Sequence, residues 1–409
     1  MAVQTPSQPT DVSVKRIQQA RKRKRNEWLT GYLFVLPSVL IIAIFGIFPI
    51  GYAVYMSLFR WRVRKSNFIG LDNYNSLVGN WWGALAFIAG VLIILVAHWL
   101  WTEAFKGDRA RLGKLLGALV LMAAGVSIAL GWNLMISSGG RESQIFLKSI
   151  VRTLFYALAS IPVQIALSLA LATLLYQKIR GQELFRMIFF LPYVMPVVAT
   201  AVIFRSIFSQ REESTANQIL AFFGIEPQRW LFESKPLLEV MFGGQIARFN
   251  EWLLSTGATW QLEGLWLGPS MALIVIVIFG IWTYTGYNVV IFLAGLGGIP
   301  KVMYEAADID GANSFDKFWN ITVPLLSPIT FYLTILGFIG ALQAFTQLFV
   351  MRQPFVRDSV DTASVVIFDT FYKANNFSLA AAQSILLFVL ILSITLLQNR
   401  ILGRRVFDG

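Results

Sequence analysis

Cysteine is absent from all 409 residues, and histidine occurs once, at His98. The first absence removes disulfides, thiolate metal sites and cysteine nucleophiles; the second leaves no His-rich metal site and no Ser-His-Asp triad. Charge is scarce as well, at 14% of residues against 56% hydrophobic, whereas soluble domains carry about a quarter charged residues. A phosphate cradle is also missing. The nearest approach, "GDRARLGKLL", puts five residues between Gly107 and Gly113 and follows the lysine with Leu115, so it fails the G-x-x-x-x-G-K-[ST] spacing twice. Without a soluble stretch large enough for an ATPase domain, no enzyme activity is expected of this chain.

What remains is membrane composition with a basic edge. The net charge of +12 draws on "KRIQQARKRKRNEW", immediately before the first apolar run. That tail reads as a positive-inside anchor beside anionic lipid rather than a nucleic-acid arm. The apolar run after it is too long for a cleaved signal peptide. A helix needs about 20 apolar residues to cross about 30 Å of hydrocarbon, and only helices satisfy their backbone within the segment. Eight runs qualify: 31–56, 82–101, 112–134, 153–176, 187–208, 270–295, 326–350 and 378–400. The fold class is therefore all-α, a polytopic membrane helical bundle. Lys and Arg near the span ends place both termini inside, with the 209–269 and 351–377 segments outside. One outer loop, "FRWRVRKSNF", opposes this with Arg60, Arg62, Arg64 and Lys65. In the 209–269 segment, Phe249, Trp252 and Leu253 sit at helical spacing, as in short helices lying on a membrane surface.

A patterned polar stretch, "EAADIDGANSFDKFWNITVP" (Glu305–Pro324), interrupts the apolar runs. Val302, Ala306 and Ile309 share one helical stripe, with Glu305, Asp308 and Asp310 off it. Gly311 permits a turn that a Cβ would resist. Asn313 and Asp316 are spaced as a capping box for a second helix, on which Phe315, Phe318, Trp319 and Thr322 are expected to share an inner face. Lipid-surface helices carry Lys and Arg on their polar face; this one is acidic, which favours a protein partner with a positive rim.

Glu305, Ala306, Ala307, Gly311, Ala312, Phe318, Ile321 and Pro324 resemble the "EAA" signature of the membrane subunits of bacterial ABC importers, with Val323 where leucine is usual. "FIGLDNY", "FFLPYVMP" and "IFLAGLGGIPKVMYEAADIDGA" resemble the carbohydrate-uptake branch, the maltose and glycerol-phosphate type. The resemblance implies the type I ABC importer transmembrane fold, with six core spans and two inserted ones. It implies these parts: a basic cytoplasmic tail (1–30), a first core span and outer loop (31–81), an inserted two-span hairpin (82–147) and the core permease domain (148–409). The loop at 301–324 would be a coupling helix, through which Glu305, Ala306, Ala307, Asp308, Ile309, Gly311, Ala312, Phe318 and Pro324 contact a separate ATPase. No cofactor is implied on this chain; ATP and Mg belong to the ATPase. Implied partners are a second permease subunit, two copies of a cytoplasmic ABC ATPase, an extracytoplasmic solute-binding protein and a sugar-like solute. The setting is a bacterial inner membrane, crossed several times, with both termini cytoplasmic.

Within the spans, Tyr284, Tyr287 and Asn288 share a face, as do Gln343 and Gln347. These five are the substrate-path candidates: aromatic surfaces for sugar C–H faces and amides for hydroxyls. The amides could equally bond across spans. Trp282 reads as interfacial or lipid packing, and His98 as a packed or interhelical hydrogen-bonding group. Two other readings stand beside an importer subunit. An ion-coupled secondary carrier would need midplane carboxylates and inverted repeats, neither evident here. A non-transporting docking scaffold would leave the five candidates without a solute.

Overall fold

The computed structural model describes residues 11–104, 111–129, 132, 137–177, 180–257, 261–262 and 267–403. Each apolar run carries helix. The first helix, α1 (Asp11–Ile42), continues through a π-turn at Ala43–Ile47 into α2 (Phe48–Ser57). A short antiparallel hairpin follows, β1 (Phe59–Trp61) and β2 (Lys65–Phe68). Then come α3 (Asp72–Val78) and α4 (Trp81–Ala104), bent by 64° at their junction, and α5 (Arg111–Ala129). Helices α4 and α5 pack on each other. They meet the rest of the chain where Phe87, Ala84 and Trp132 close over Val78 and Leu147. The side chain of His98 lies outside the described residues.

The bundle proper is built on two long helices, α6 (Arg141–Tyr176) and, further along, α11 (Met271–Gly298). Between them, the run expected as one span at 187–208 is two helices, α7 (Gln182–Val194) and α8 (Val197–Ile207), at 97° to each other. The cause is local. Met195 precedes Pro196, and a residue before proline is pushed out of the helical region; Met195 is accordingly extended, with φ −67° and ψ 146°. The 209–269 segment forms short helices as expected, α9 (Thr215–Phe222) and α10 (Leu237–Ser255). Phe249 and Trp252 stack at 5.8 Å on its exposed side; Leu253, expected beside them, is buried instead.

After α11 come α12 (Lys301–Ile309), α13 (Ser314–Lys317), a π-turn at Phe318–Thr322 and α14 (Val323–Leu325). The run expected as a continuous span at 326–350 is also interrupted. It divides into α15 (Ser327–Leu342) and α16 (Thr346–Met351), with Phe345 at φ −131°, ψ −61°. No proline or glycine occupies 343–345. The break is held by tertiary contact, the Ala344 carbonyl accepting from Thr362 Oγ1 at 3.4 Å. Helices α17 (Arg357–Val360), α18 (Ala363–Tyr372) and α19 (Phe377–Leu402) complete the chain. Among the described residues, by length and composition, four helices can cross a membrane unbroken, and up to seven segments can if each bent pair is one span. The apolar helix Lys114–Val126 occupies the remaining expected run.

Two apolar clusters lie along α6 and α11. One gathers Phe146, Tyr156, Ile276, Phe279, Leu342 and Leu348; the other gathers Ala172, Val289, Phe292, Leu296 and Leu326. Close approach of α7 to α11 depends on Gly286, where an added Cβ would lie 1.8 Å from the Phe189 carbonyl oxygen. Gly286→Ala is therefore expected to destabilise the bundle by about 1–3 kcal/mol, the usual cost of overpacking. Gly297→Ala, on the same helix with nothing within 4 Å, should be near neutral. Thermal unfolding of the detergent-solubilised variants checks this; equal midpoints would refute it.

Candidate solute cavity and coupling elbow

Between the two apolar clusters the helices leave a cavity of about 480 Å³. All five substrate-path candidates line it: Tyr284, Tyr287 and Asn288 from α11, Gln343 from the break, and Gln347 from α16. Tyr284 lies halfway along the 28-residue α11, so the cavity sits near mid-depth. The interrupted backbone at 343–345 forms one wall, as expected of non-helical chain at membrane depth, which is tolerated where it lines a cavity.

The three amides among the candidates are not equivalent. Gln347 donates from Nε2 to the Tyr156 hydroxyl at 3.1 Å, joining α16 to α6. Tyr156 is 2% exposed, so this amide serves as interhelical glue. Asn288 and Gln343 make no side-chain hydrogen bond among the described residues and remain available to a guest. Trp282 packs at 5.3 Å on Phe204 and 6.3 Å on Phe279 and stays 39% exposed, at the outer surface of the bundle, as expected of interfacial or lipid packing.

Sequence reading missed Tyr156, Ser160, Gln164, Tyr193 and Thr346, which also line the cavity. A signal existed for three of them. Tyr156, Ser160, Gln164 and Ser168 recur every fourth residue through an apolar run, a polar stripe on one helix face. Ser168 also reaches across to the Thr285 carbonyl at 3.0 Å. Tyr193 was hidden by the helix break, which brings it to stack on Tyr287 at 4.8 Å and edge onto Tyr284 at 6.1 Å. The result is a cavity lined by three tyrosine rings together with free amides.

At the far end of α11 from the 209–269 segment, the polar stretch forms a braced elbow. Gly311 takes φ +75°, a conformation that favours glycine, and Ala312 N–H donates to the Ala307 carbonyl at 2.9 Å. The capping box forms: Asn313 Oδ1 accepts from the amides of Phe315 and Asp316 at 2.9 and 3.0 Å, and Asp316 Oδ2 accepts from Asn313 N–H. Lys317 pairs with Asp308 across the bend. Tyr304 and Thr322 share a hydroxyl bond of 2.9 Å, and Tyr304, Ile321 and Leu325 seat the elbow on the cluster around Phe292.

Among the described residues the outer stripe is left uncovered. Val302, Glu305, Ala306 and Ile309 are exposed, Ile309 at 88%. Glu305 and Asp310 make no ion pair among the described residues. Ala307, Ala312, Phe318 and Pro324 are half-buried within the fold of the elbow. The expectation for α13 needs correction: Thr322 is buried and Phe318 half-buried, but Phe315 and Trp319 are exposed. Residues four apart do share a face, but as two separate pairs: Phe315 and Trp319 meet at 6.1 Å on the outside, and Phe318 and Thr322 turn inward.

Beyond the cavity, Arg352 follows α16 and bonds Asp361 at 3.0 Å and Asp369 at 3.0 and 3.1 Å. Burial raises the Asp361 carboxyl above its ordinary range, against the pull of Arg352. Sequence reading gave this cluster no role. Its partners are nine and seventeen residues apart, a spacing without helical meaning.

Over residues 164–408 the chain matches the family described as "Binding-protein-dependent transport system inner membrane component". It is similar to the arabinooligosaccharides transport system permease protein AraP of Bacillus subtilis, 29% identical over 269 residues, covering 64% of this chain and 74% of that protein. It is also similar to the sn-glycerol-3-phosphate transport system permease protein UgpA of Agrobacterium fabrum, at 24% over 384 residues, covering 92% and 96%. Its fold resembles a chain of a bacterial alginate ABC transporter solved with an alginate pentasaccharide-bound periplasmic protein, at TM-score 0.61 and 17% identity over 95% of this chain and 98% of that one.

Removing the Gln347 amide while keeping Tyr156 leaves a buried hydroxyl unpaired, which costs about 1–3 kcal/mol. Gln347→Leu should lower the unfolding midpoint accordingly, and adding Tyr156→Phe should recover most of the loss. A double-mutant cycle by thermal unfolding measures this; purely additive effects would refute the bond.

Proposed function

The chain belongs to the family of binding-protein-dependent transport system inner membrane components, and on that premise we propose that it is the membrane-spanning permease subunit of an ATP-binding-cassette importer for a sugar or sugar-like solute. It is a transport permease and not an enzyme. The solute occupies the mid-depth cavity, its C–H faces against Tyr193, Tyr284 and Tyr287 and its hydroxyls on Asn288 and Gln343. Cargoes named for relatives, arabinooligosaccharides among them, support this class.

ATP and Mg act on a separate cytoplasmic subunit, present in two copies. The elbow is the part that subunit holds, through the exposed stripe of Val302, Ala306 and Ile309 and the acidic rim of Glu305 and Asp310. A second permease completes the membrane portion, and an extracytoplasmic solute-binding protein delivers cargo. Both termini lie in the cytoplasm, with the tail at 1–30 against the inner leaflet. The chain divides into that tail, the first core span with its outer loop (31–81), the inserted hairpin (82–147) and the core domain (148–409).

The observation that carries this reading is mechanical. One unbroken helix, α11, lines the cavity at its midpoint and leads at its end into the elbow through Ile299 and Pro300. Movement imposed on the elbow reaches Tyr284, Tyr287 and Asn288 without crossing a flexible joint other than that turn. ATP closes the ATPase dimer, shifts the elbow and exposes the cavity to the outside; hydrolysis resets it. Such coupling requires that the two states differ in contact free energy with each partner.

Gly311→Pro removes the left-handed turn, and Glu305→Lys reverses a rim charge. Both proteins should reach the membrane, with uptake in cells lowered about tenfold or more, within the usual range of coupling energies. ATP hydrolysis by the assembly should lose its dependence on solute. Normal uptake by both variants would overturn the reading.

A further inference from the structure

We propose that this cavity selects an uncharged solute, a neutral glycoside in preference to a phosphorylated, carboxylated or amino sugar. The inference rests on the reading that the cavity is the solute site, and it concerns charge rather than the class of solute. Among the described residues no Asp, Glu, Lys, Arg or His lines the cavity. Its polar groups are amides and hydroxyls. Gln164 and Asn288 are 3% and 8% exposed, and neither side chain has a hydrogen-bond partner among the described residues. An amide both donates and accepts, as a sugar hydroxyl does, so such groups answer a neutral polyol and give no counter-charge to an ion. Tyrosine faces carry negative potential, which repels an anion. An ion stripped of water without a partner is strongly disfavoured.

The neighbouring cations do not fill that role, because they are already engaged. Arg152 lies one turn before Tyr156 on α6, and Arg352 lies just past Gln347, so both flank the cavity on its own elements. Arg152 Nη1 donates to the Asp361 carbonyl at 3.2 Å, and Arg352 binds the carboxylates of Asp361 and Asp369. The guanidinium of Arg352 also lies 4.4 Å over the Phe349 ring, away from the lining residues. Three cations, Arg152, Arg352 and Lys373, meet three carboxylates there, Asp358 and Asp361 beside Arg152 and Asp369 bound to Arg352 and Lys373. The cluster therefore projects little net field into the cavity. A phosphorylated cargo would need a cation that this wall lacks.

The test uses cells carrying the whole transport system, with this chain deleted and restored from a plasmid. Radiolabelled trehalose, arabinotriose, sn-glycerol 3-phosphate, trigalacturonate and glucosamine are supplied in turn. At least one neutral sugar should enter about tenfold faster than every charged one, a ratio that unpaired polar groups readily impose. A charged sugar entering as fast as the best neutral one overturns the charge inference and leaves the sugar reading intact. Uptake of none of the panel overturns both. To assign selection to the cavity, Gln343→Arg is compared with the parent chain. It should raise the ratio of anionic to neutral uptake about tenfold by supplying the missing counter-charge; an unchanged ratio overturns the inference. Thr346→Lys places the same charge from the adjoining residue should the first variant fail to reach the membrane.

Discussion

Backbone amides and carbonyls buried in hydrocarbon need partners, because each unsatisfied group costs several kcal/mol. That requirement shapes the whole molecule. It restricts the apolar runs to helices, and it decides where a helix can stop. Two interruptions at depth, at Met195–Pro196 and at 343–345, both occur beside the cavity. The second is closed by Thr362 reaching the Ala344 carbonyl. The breaks are tolerated because they face protein and a polar space, and they in turn create that space by turning Tyr193 and Gln343 inward.

Polar side chains follow the same rule and so divide into two groups. Those that hold helices together are paired: Gln347 with Tyr156, Ser168 with the Thr285 carbonyl, Arg352 with two carboxylates. Among the described residues Gln164, Asn288 and Gln343 line one cavity without a side-chain partner, while Thr283 and Gln383 keep unpaired oxygens outside it. Pairing together with a place on the cavity wall, rather than polarity alone, marks the amides open to a guest. The elbow shows the converse. It is tied to its own chain on one side by Tyr304, Lys317 and the capping box, and is bare on the other along Ile309 and Glu305. A rigid element with an exposed face transmits motion better than a loop would, since bracing removes the freedom that would absorb it.

Much of the architecture was legible because it rests on short-range regularities. Apolar run length gave helix in all eight places, and Gly311, Asn313 and Asp316 specified the elbow through backbone preferences that need no tertiary partner. The five cavity candidates were legible as polar exceptions in apolar helices. Other features were not. Nothing in 343–345 signals a break, since no proline or glycine stands there. Likewise the spacing did not tell which pair, Phe315 with Trp319 or Phe318 with Thr322, would turn inward; Ile321 and Leu325 packing on the cluster around Phe292 orient the segment.

By itself, then, the sequence determined a polytopic helical membrane protein carrying an acidic, glycine-hinged elbow. Those properties follow from composition and from contacts within a few residues. Only the tertiary structure decided which amides pair and which stay free, which arginines are neutralised, and that Tyr156, Gln164 and Tyr193 meet Asn288 and Gln343 around one space. Pairing across helices joins residues separated by as many as 191 positions, and no local pattern encodes which of them will meet.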